Sequence, residues 1–479
     1  MLDKRLEKIA GLVSGRGITV DVGTDHAYLA AELVTSGRCS RVIASDIKEG
    51  PLESAARTVE KYGVTDKVQL ILSDGLAEVP MDGVTDVAIA GMGGETIADI
   101  IRGLSCDRYE PENVRWILQP MTKPEYLRKA LYELDLQIIG EYAVEESGKL
   151  YVIMVAEYNP EFRRLTEFEA LYGFFADDDE MGRKYREHES ERLAKIAENL
   201  SSAGKDNEAI HYSALSEKMK NGVDIYPVNE IYSFLDSVFP FERQEKWDNS
   251  GLLVNSGTDC SKVLMTLDID KRAVDEAELK AADMVVSHHP VIFSPLKRIS
   301  SEMPVYRLVK NDISAVCMHT NVDISPLGTN GFILRELRKN YELECEPEHI
   351  NFEECGYICT LKESVPAAEF AETLKKIFGC EYIRASADTG MVKKVAFCSG
   401  SGGSFLGDVA ENGCDTYVTG DVKHDVWMDA QSVGVKVFDC GHFHTENPVI
   451  WEFRRILEQR FPRLDVEIAE SSVDPCIYF

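Results

Sequence analysis

The sequence predicts two α/β modules in series, joined by a helical hairpin. Near-continuous apolar runs alternate with helical stretches over residues 1–158 and again over 223–479. Residues 159–222 differ: they are dense in charge and carry apolar side chains at helical spacing. Histidines and carboxylates of the second module gather directly behind its apolar runs. Unbroken apolar strands separated by helices imply parallel sheets covered on both faces, and open sheets of that kind place their sites at the C-terminal strand ends.

In the first module the strand candidates are 17–22, 41–46, 68–73, 86–91 and 114–119. Two more, 136–146 and 149–158, meet at Ser147-Gly148 and read as a terminal hairpin. Five parallel strands closed by a hairpin suggest the Rossmann-like methyltransferase sheet. In 159–222, Leu193, Ile196 and Leu200 recur at helical spacing, as do Tyr212, Leu215 and Met219, with a turn at Gly204-Lys205-Asp206-Asn207. This reads as an antiparallel coiled-coil hairpin; a plain spacer is the alternative. The second module offers strands at 262–268, 283–287, 313–318, 394–398, 415–419 and 434–438, expected to lie in one sheet, with helices such as 271–281 and 366–377 between them.

The net charge is −30, with −13 over residues 1–222 and −17 over the rest. Neither part is basic, which argues against indiscriminate nucleic-acid binding but leaves room for a local basic patch. No apolar run approaches the roughly 20 residues of a membrane span, and the charged start MLDKRLEKIA lacks a signal-peptide core. Twelve cysteines are scattered; Cys355 and Cys359 lie close together without a second pair to complete a zinc site. A cytoplasmic protein with reduced thiols is the expectation.

The first chemical constellation sits at four strand ends. Asp21 and Gly23 close the first strand, where a glycine turn lets backbone approach a ligand. Asp46 ends the second strand, placed to hold two ribose hydroxyls, and Asp74 ends the third, placed for an adenine amino group. Gly91 and Gly93 make an open rim after the fourth. A dinucleotide site is less well matched, because Asp25 stands where a GxGxxG pattern would carry glycine. Asp25 and His26 also suit capping of the following helix.

Residues 1–222 resemble the bacterial TrmK methyltransferase family. The resemblance rests on Lys4-Arg5-Leu6, on Asp21-Val-Gly-Thr-Asp-His-Ala-Tyr-Leu29, on Ile89-Ala-Gly-Met-Gly-Gly94 and on Leu118-Gln-Pro120. Ala30 and Met121 depart from it, where the family usually has Pro and Asn. The resemblance implies S-adenosylmethionine (SAM) as cofactor, tRNA as partner and ring nitrogen 1 of adenine 22 as methyl acceptor. That nitrogen has a free lone pair at neutral pH, so the enzyme must chiefly expose and orient the base and exclude water. The product is cationic, and Asp25 is the candidate catalytic carboxylate, either to stabilise that charge or to take a proton from the exocyclic amine. Arg163, Arg164, Arg183, Lys184 and Arg186 are weak candidates to dock a polyanion; a solvated helix face fits most of them better, since Asp177 to Glu180 lie among them.

The second constellation comprises Ser287-His288-His289-Pro290, His319-Thr-Asn-Val-Asp323 and Asp439-Cys-Gly-His442-Phe-His444-Thr-Glu446, each directly after an apolar strand. Seven of the ten histidines lie in this module, five of them in these clusters, which is more than structural histidines would give. His288 and His289 point apart if their backbone is extended, so each suits a different metal. Mixed nitrogen and oxygen donors suit zinc, iron, manganese or cobalt.

These motifs, with Trp247-Asp-Asn-Ser-Gly-Leu252, Gly328-Thr-Asn330, Cys398-Ser-Gly-Ser-Gly-Gly403 and Thr419-Gly-Asp-Val-Lys-His424, resemble the Nif-three-like family over about 226–479. The family is also known as GTP cyclohydrolase 1 type 2 homologues. The resemblance implies two divalent metal ions held by His288, His289, Asp323, His442 and Glu446, with His319 close by, and a homo-oligomer, a toroidal hexamer. It leaves two functional classes open: a metal-dependent hydrolase, or a metal-binding assembly module without turnover.

Overall fold

The computed structural model describes residues 2–160, 164–176, 178–351, 354–387 and 390–477. The chain divides into two compact units, residues 1–222 and 223–479. In the first, β1 (Ile18–Val22), β2 (Val42–Asp46), β3 (Val68–Leu72), β4 (Val84–Gly93), β5 (Arg115–Thr122), β6 (Leu136–Glu146) and β7 (Lys149–Tyr158) form one sheet, in the order β3-β2-β1-β4-β5-β7-β6. β1 to β5 run parallel, and β7 pairs antiparallel with both β5 and β6. Ser147 and Gly148 both take positive φ (51° and 75°), the turn whose twist matches a tight hairpin. From β1 the chain steps to one side for β2 and β3, then crosses to β4 on the other. Such a reversal opens a crevice at the strand C-termini, here between Val22 and Met92.

Helices α1 (Lys4–Leu12), α2 (Tyr28–Thr35), α3 (Glu49–Lys61), α4 (Gly94–Arg102) and α5 (Pro124–Glu133) belong to the same unit. The C-terminal part of the unit contributes α6 (Glu167–Tyr172), α7 (Glu180–Ser202) and α8 (Asp206–Asn221). α7 and α8 pack antiparallel: Ser190 and Ser216, equally far from the turn, exchange hydrogen bonds across the pair. The turn is shorter than expected, because Asp206 and Asn207 already belong to α8; an aspartate in a first helical turn is favoured by the helix dipole. Leu193, Ala197, Leu215 and Met219 are buried along the seam.

A buried ion pair ties this region to the sheet. Arg128 on α5 and Glu141 on β6 meet at 2.6 Å with neither side chain exposed. Arg128 also donates to the Ala170 carbonyl, and Glu141 accepts from the Phe174 backbone N–H at 2.8 Å. Burial opposes the Arg128 charge, but Glu141 outweighs it and holds the guanidinium pKa above its usual range.

The second unit contains two main sheets, where one was expected. The first runs Asp465–Ile468, Lys262–Thr266, Met284–Ser287, Ser314–Cys317, Gly251–Val254, with only the last pairing antiparallel. The second runs Glu348–His349, Tyr357–Pro366, Met391–Phe397, Thr416–Thr419, Lys436–Asp439, Arg384–Ala385. Apolar runs specify strands but not their partners, which is why the division escaped the sequence reading. Tyr357–Pro366 was also missed, since its apolar start gives way to Lys-Glu-Ser and exposed positions. Phe239, Phe453 and Phe461 pack with Val263, Met265 and Val286 under the first sheet; Phe370, Phe397 and Phe438 share a core with the second.

Candidate functional site

In the first unit the strand ends carry the expected residues. Asp21 is buried on β1 and accepts a 2.6 Å hydrogen bond from Thr24 Oγ1. Burial, opposed by that hydrogen bond, raises its pKa to about 6. Gly23 takes φ +73°, and a Cβ there would stand 2.3 Å from the Met92 methyl. Asp46 ends β2 and accepts from the Lys48 backbone N–H at 3.0 Å. Asp74 is exposed beyond β3. Gly91 donates its N–H to the buried Gln119 side chain at 3.2 Å, and the space where its Cβ would project is open. Gln119 also accepts from Arg5 at 3.2 Å, so the Lys4-Arg5-Leu6 and Leu118-Gln-Pro120 motifs meet at this rim.

Asp25 does not cap the next helix. The α2 N-cap is Ala27, in a left-handed conformation and without a side-chain cap bond. Asp25 itself has φ 47°, and its carboxylate is 69% exposed, 3.6 Å from His26 Nε2. A left-handed aspartate costs conformational energy, and no helix bond compensates here.

Of the cationic candidates, Arg186 is part of the fold: it lies 3.7 Å over the Tyr172 ring and donates to the carbonyls of Tyr172, Gly173 and Phe175. Lys184 pairs with Glu145 at 2.7 Å. Arg164 and Arg183 are exposed, whereas Arg163 and Asp177 lie outside the described residues.

The second unit brings its three clusters together. His288 and His289 follow the strand Met284–Ser287, and Asp323 lies on the short helix after Ser314–Cys317. His442 and Glu446 come from the helix after Lys436–Asp439, in the other sheet. Glu446 Oε2 stands 3.0 Å from His289 Nε2, 2.9 Å from His442 Nε2 and 3.7 Å from His288 Nε2. His288 Nε2 is 3.6 Å from Asp323 Oδ1. Two donor groups result, His289–His442–Glu446 and His288–Asp323–Glu446, sharing Glu446; His319 joins His288 and His289 in a third. His444 points elsewhere, to Asp474 at 3.0 Å.

The remote ring nitrogens are all held. His289 Nδ1 bonds Asp268 at 2.8 Å, His442 Nδ1 bonds Asp421 at 2.8 Å and His319 Nδ1 bonds Asp248 at 2.7 Å. His288 Nδ1 bonds the Met318 carbonyl at 2.9 Å. A donor bond at Nδ1 leaves Nε2 with a lone pair toward the centre, the arrangement by which outer carboxylates orient metal-binding imidazoles. Asp248 and Asp421 lie within the Trp247–Leu252 and Thr419–His424 motifs but had no role assigned from the sequence, and Asp268, at the end of the 262–268 run, was not singled out.

The centre is electrostatically unbalanced without a cation. His288 Nε2 and Glu446 Oε2 are buried and make no aligned hydrogen bond despite their near neighbours. His289 and His442 face each other Nε2 to Nε2 at 3.3 Å. Burial opposes charge on His289, yet the Asp268 and Glu446 carboxylates raise its pKa to about 10; the same competition, through Glu446 and Asp421, raises His442 to about 9. Burial pushes Asp323 up, while three imidazoles overcome burial and hold Glu446 well below the carboxylate range. Gly400 completes the enclosure: with φ +62°, its Cβ position lies 2.1 Å from Glu446 Oε1, so only glycine fits. The donor set and these orphaned atoms fit divalent cations.

Comparison with known proteins matches this unit to a defined family: residues 226–476 match the Duf34/NIF3 (NGG1p interacting factor 3) model. The chain belongs to the Duf34/NIF3 family. Among the Duf34/NIF3-type relatives, a GTP cyclohydrolase 1 type 2 homolog of Clostridium perfringens is 28% identical over 257 residues, covering 52% of this chain and 98% of the relative. A GTP cyclohydrolase 1 type 2 of Helicobacter pylori is 33% identical over 227 residues, covering 46% and 86%. Residues 2–154 match a methyltransferase domain. Over 156 residues the chain is 36% identical to the tRNA (adenine(22)-N(1))-methyltransferase of Bacillus subtilis, covering 33% of this chain and 65% of the relative. The chain thus joins a methyltransferase domain to a Duf34/NIF3 domain, as both resemblances implied.

Proposed function

We propose that the first unit methylates ring nitrogen 1 of an adenine in tRNA, at position 22, with SAM as donor. The likeness to the Bacillus subtilis tRNA methyltransferase carries this reading. The strand ends at the β1/β4 crevice support it, with the Gly23 turn against Met92 and the open rim at Gly91. Bound SAM supplies an electrophilic methyl group. Asp46 suits its ribose hydroxyls, Asp74 its adenine amine, and Asp21, Gly23, Gly91 and Gly93 the surrounding backbone cradle. The target base reacts through its own lone pair, so the protein orients it and excludes water. Asp25, exposed and free of capping duty, stabilises the positive charge that develops on the ring. Methylation of unmodified tRNA transcripts, with mass mapping of the product, tests the proposal. Modification of another RNA or a small molecule alone overturns it.

For the second unit we propose a centre of two divalent cations held by His288, His289, Asp323, His442 and Glu446, with Glu446 common to both and His319 beside them. The two donor groups that share Glu446 support it. When bound, the pair supplies Lewis-acid activation for hydrolysis. Asp268, Asp421 and Asp248 fix the imidazoles, and Gly400, lacking a side chain, leaves Glu446 the space it occupies. Elemental analysis of tag-free protein should find about two metals per chain; protein that retains none after reconstitution with zinc, iron, manganese or cobalt overturns the assignment. A hydrolase is the favoured class, and turnover assays separate it from a metal-holding scaffold. A homo-hexamer built through this unit is part of the proposal, tested by light scattering.

A further inference from the structure

Cys355 and Cys398 lie 43 residues apart in sequence, yet their sulfurs are 3.4 Å apart. Cys398 follows the strand Met391–Phe397 and is buried; Cys355 lies two residues before the neighbouring strand, Tyr357–Pro366, and is half-buried. The pairing is not the one that sequence proximity offered, since Cys359 is buried elsewhere along Tyr357–Pro366. The two thiols are as close as unbonded sulfurs come, on backbone that adjacent strands hold in register: Tyr357 pairs with Phe397. Closure to a disulfide requires the sulfurs to approach to about 2.05 Å. A half-buried thiol beside a buried partner is the arrangement of an attacking and a resolving cysteine.

The geometry points to Cys355 and Cys398 as an oxidisable dithiol that forms a reversible intramolecular disulfide with a peroxide-class oxidant. The Cys355 sulfur attacks one peroxide oxygen; an S–O bond forms, the O–O bond breaks, and the departing oxygen leaves as water with the thiol proton. The Cys398 sulfur then displaces hydroxide from the sulfenic sulfur; the S–S bond forms, the S–O bond breaks, and the second thiol proton leaves in a second water. Two thiols lose two electrons, and one peroxide gains them. Ser399, next to Cys398, donates its N–H to Asn330 at 2.9 Å and its hydroxyl to Thr329, which in turn donates to Asp323. The dithiol therefore abuts the hydrogen bonds that hold one of the donor carboxylates. This inference does not depend on metal binding.

The test uses the full chain treated with hydrogen peroxide, alkylated, digested and analysed by mass spectrometry. A Cys355–Cys398 linked peptide, lighter by two hydrogens and cleaved by dithiothreitol, is expected. Cys355→Ser should abolish the link, and Cys398→Ser should leave Cys355 as a sulfenic acid captured by dimedone. Recovery of both cysteines alkylated after the exposed Cys345 and Cys476 have oxidised overturns the proposal. So does linkage of either one mainly to those exposed thiols.

Discussion

Arg128 and Glu141 form an ion pair with no solvent exposure on either side, and the same two side chains hold the backbone at Ala170 and Phe174. The pair thus serves as the bolt between the methyltransferase sheet and the helical region beyond it. Removing one partner leaves a buried charge unmatched, which costs about 3–5 kcal/mol. Glu141→Gln and Arg128→Met should each lower the free energy of unfolding by that amount, and proteolysis should attack first near residues 164–176. Equal stability to the parent in urea titration contradicts this role.

Asp21 gives a pH signature. Its carboxyl pKa is raised by burial to about 6 from an ordinary 3.8. The folded state therefore binds its proton more tightly than the unfolded chain. Between those two values the folded state carries more protons, so stability falls as pH rises across that window, and the loss is complete above about pH 6. Asp21→Asn should flatten that part of the stability profile. It should also weaken SAM binding, read by calorimetry.

Asp268 holds Nδ1 of His289 and so bears on the proposed metal centre through that ring. Asp268→Asn keeps the shape but weakens the hold on Nδ1, and changes of this kind typically reduce metal affinity about 10–100-fold. Competition with a chromophoric chelator measures it. Asp421→Asn, acting through His442, should behave alike, whereas an exposed aspartate such as Asp99 should not.

The metal-free centre holds protons that a cation must displace. Against burial, Asp268 and Glu446 favour the protonated form of His289, to about 10, and Glu446 and Asp421 that of His442, to about 9, so a cation competes with protons there. Their ion pairs stabilise the metal-free fold fully below about pH 6.5, the ordinary histidine value, and that contribution is lost as pH rises through about 9 to 10. Metal binding should release protons at pH 7 and tighten as pH rises. Calorimetry in buffers of different ionisation enthalpy counts them; zero release is the opposing result.

Gly400→Ala places a methyl group against Glu446 and strains a backbone at φ +62°. Metal content should fall sharply while the unit stays folded, because Gly400 sits in a loop rather than in either sheet. Elemental analysis paired with circular dichroism separates the two effects.

What the sequence made legible follows the reach of its signals. Ser147-Gly148 announced its turn because positive φ is chemically demanding there. The three His and carboxylate clusters stood out because such residues rarely gather behind apolar strands, and the family resemblance narrowed them to the five proposed ligands. The orienting roles of Asp248, Asp268 and Asp421 did not stand out, even though Asp248 and Asp421 stand in motifs of the resemblance, since an aspartate that orients a histidine shows that role only once the fold places it. The division of the second unit into two sheets was equally hidden. Strand pairing is a long-range choice, and short runs such as Met284–Ser287 and Lys436–Asp439 do not encode it locally.

Glu446 follows His288 by 158 residues, and the two come from different sheets. During synthesis on the ribosome, His288, His289 and Asp323 emerge long before the carboxylate that completes both donor groups. A nascent chain therefore lacks the one carboxylate common to both groups until the strands of both sheets have formed. For the proposed centre of two cations, full occupancy then follows the folding of both sheets rather than guiding it.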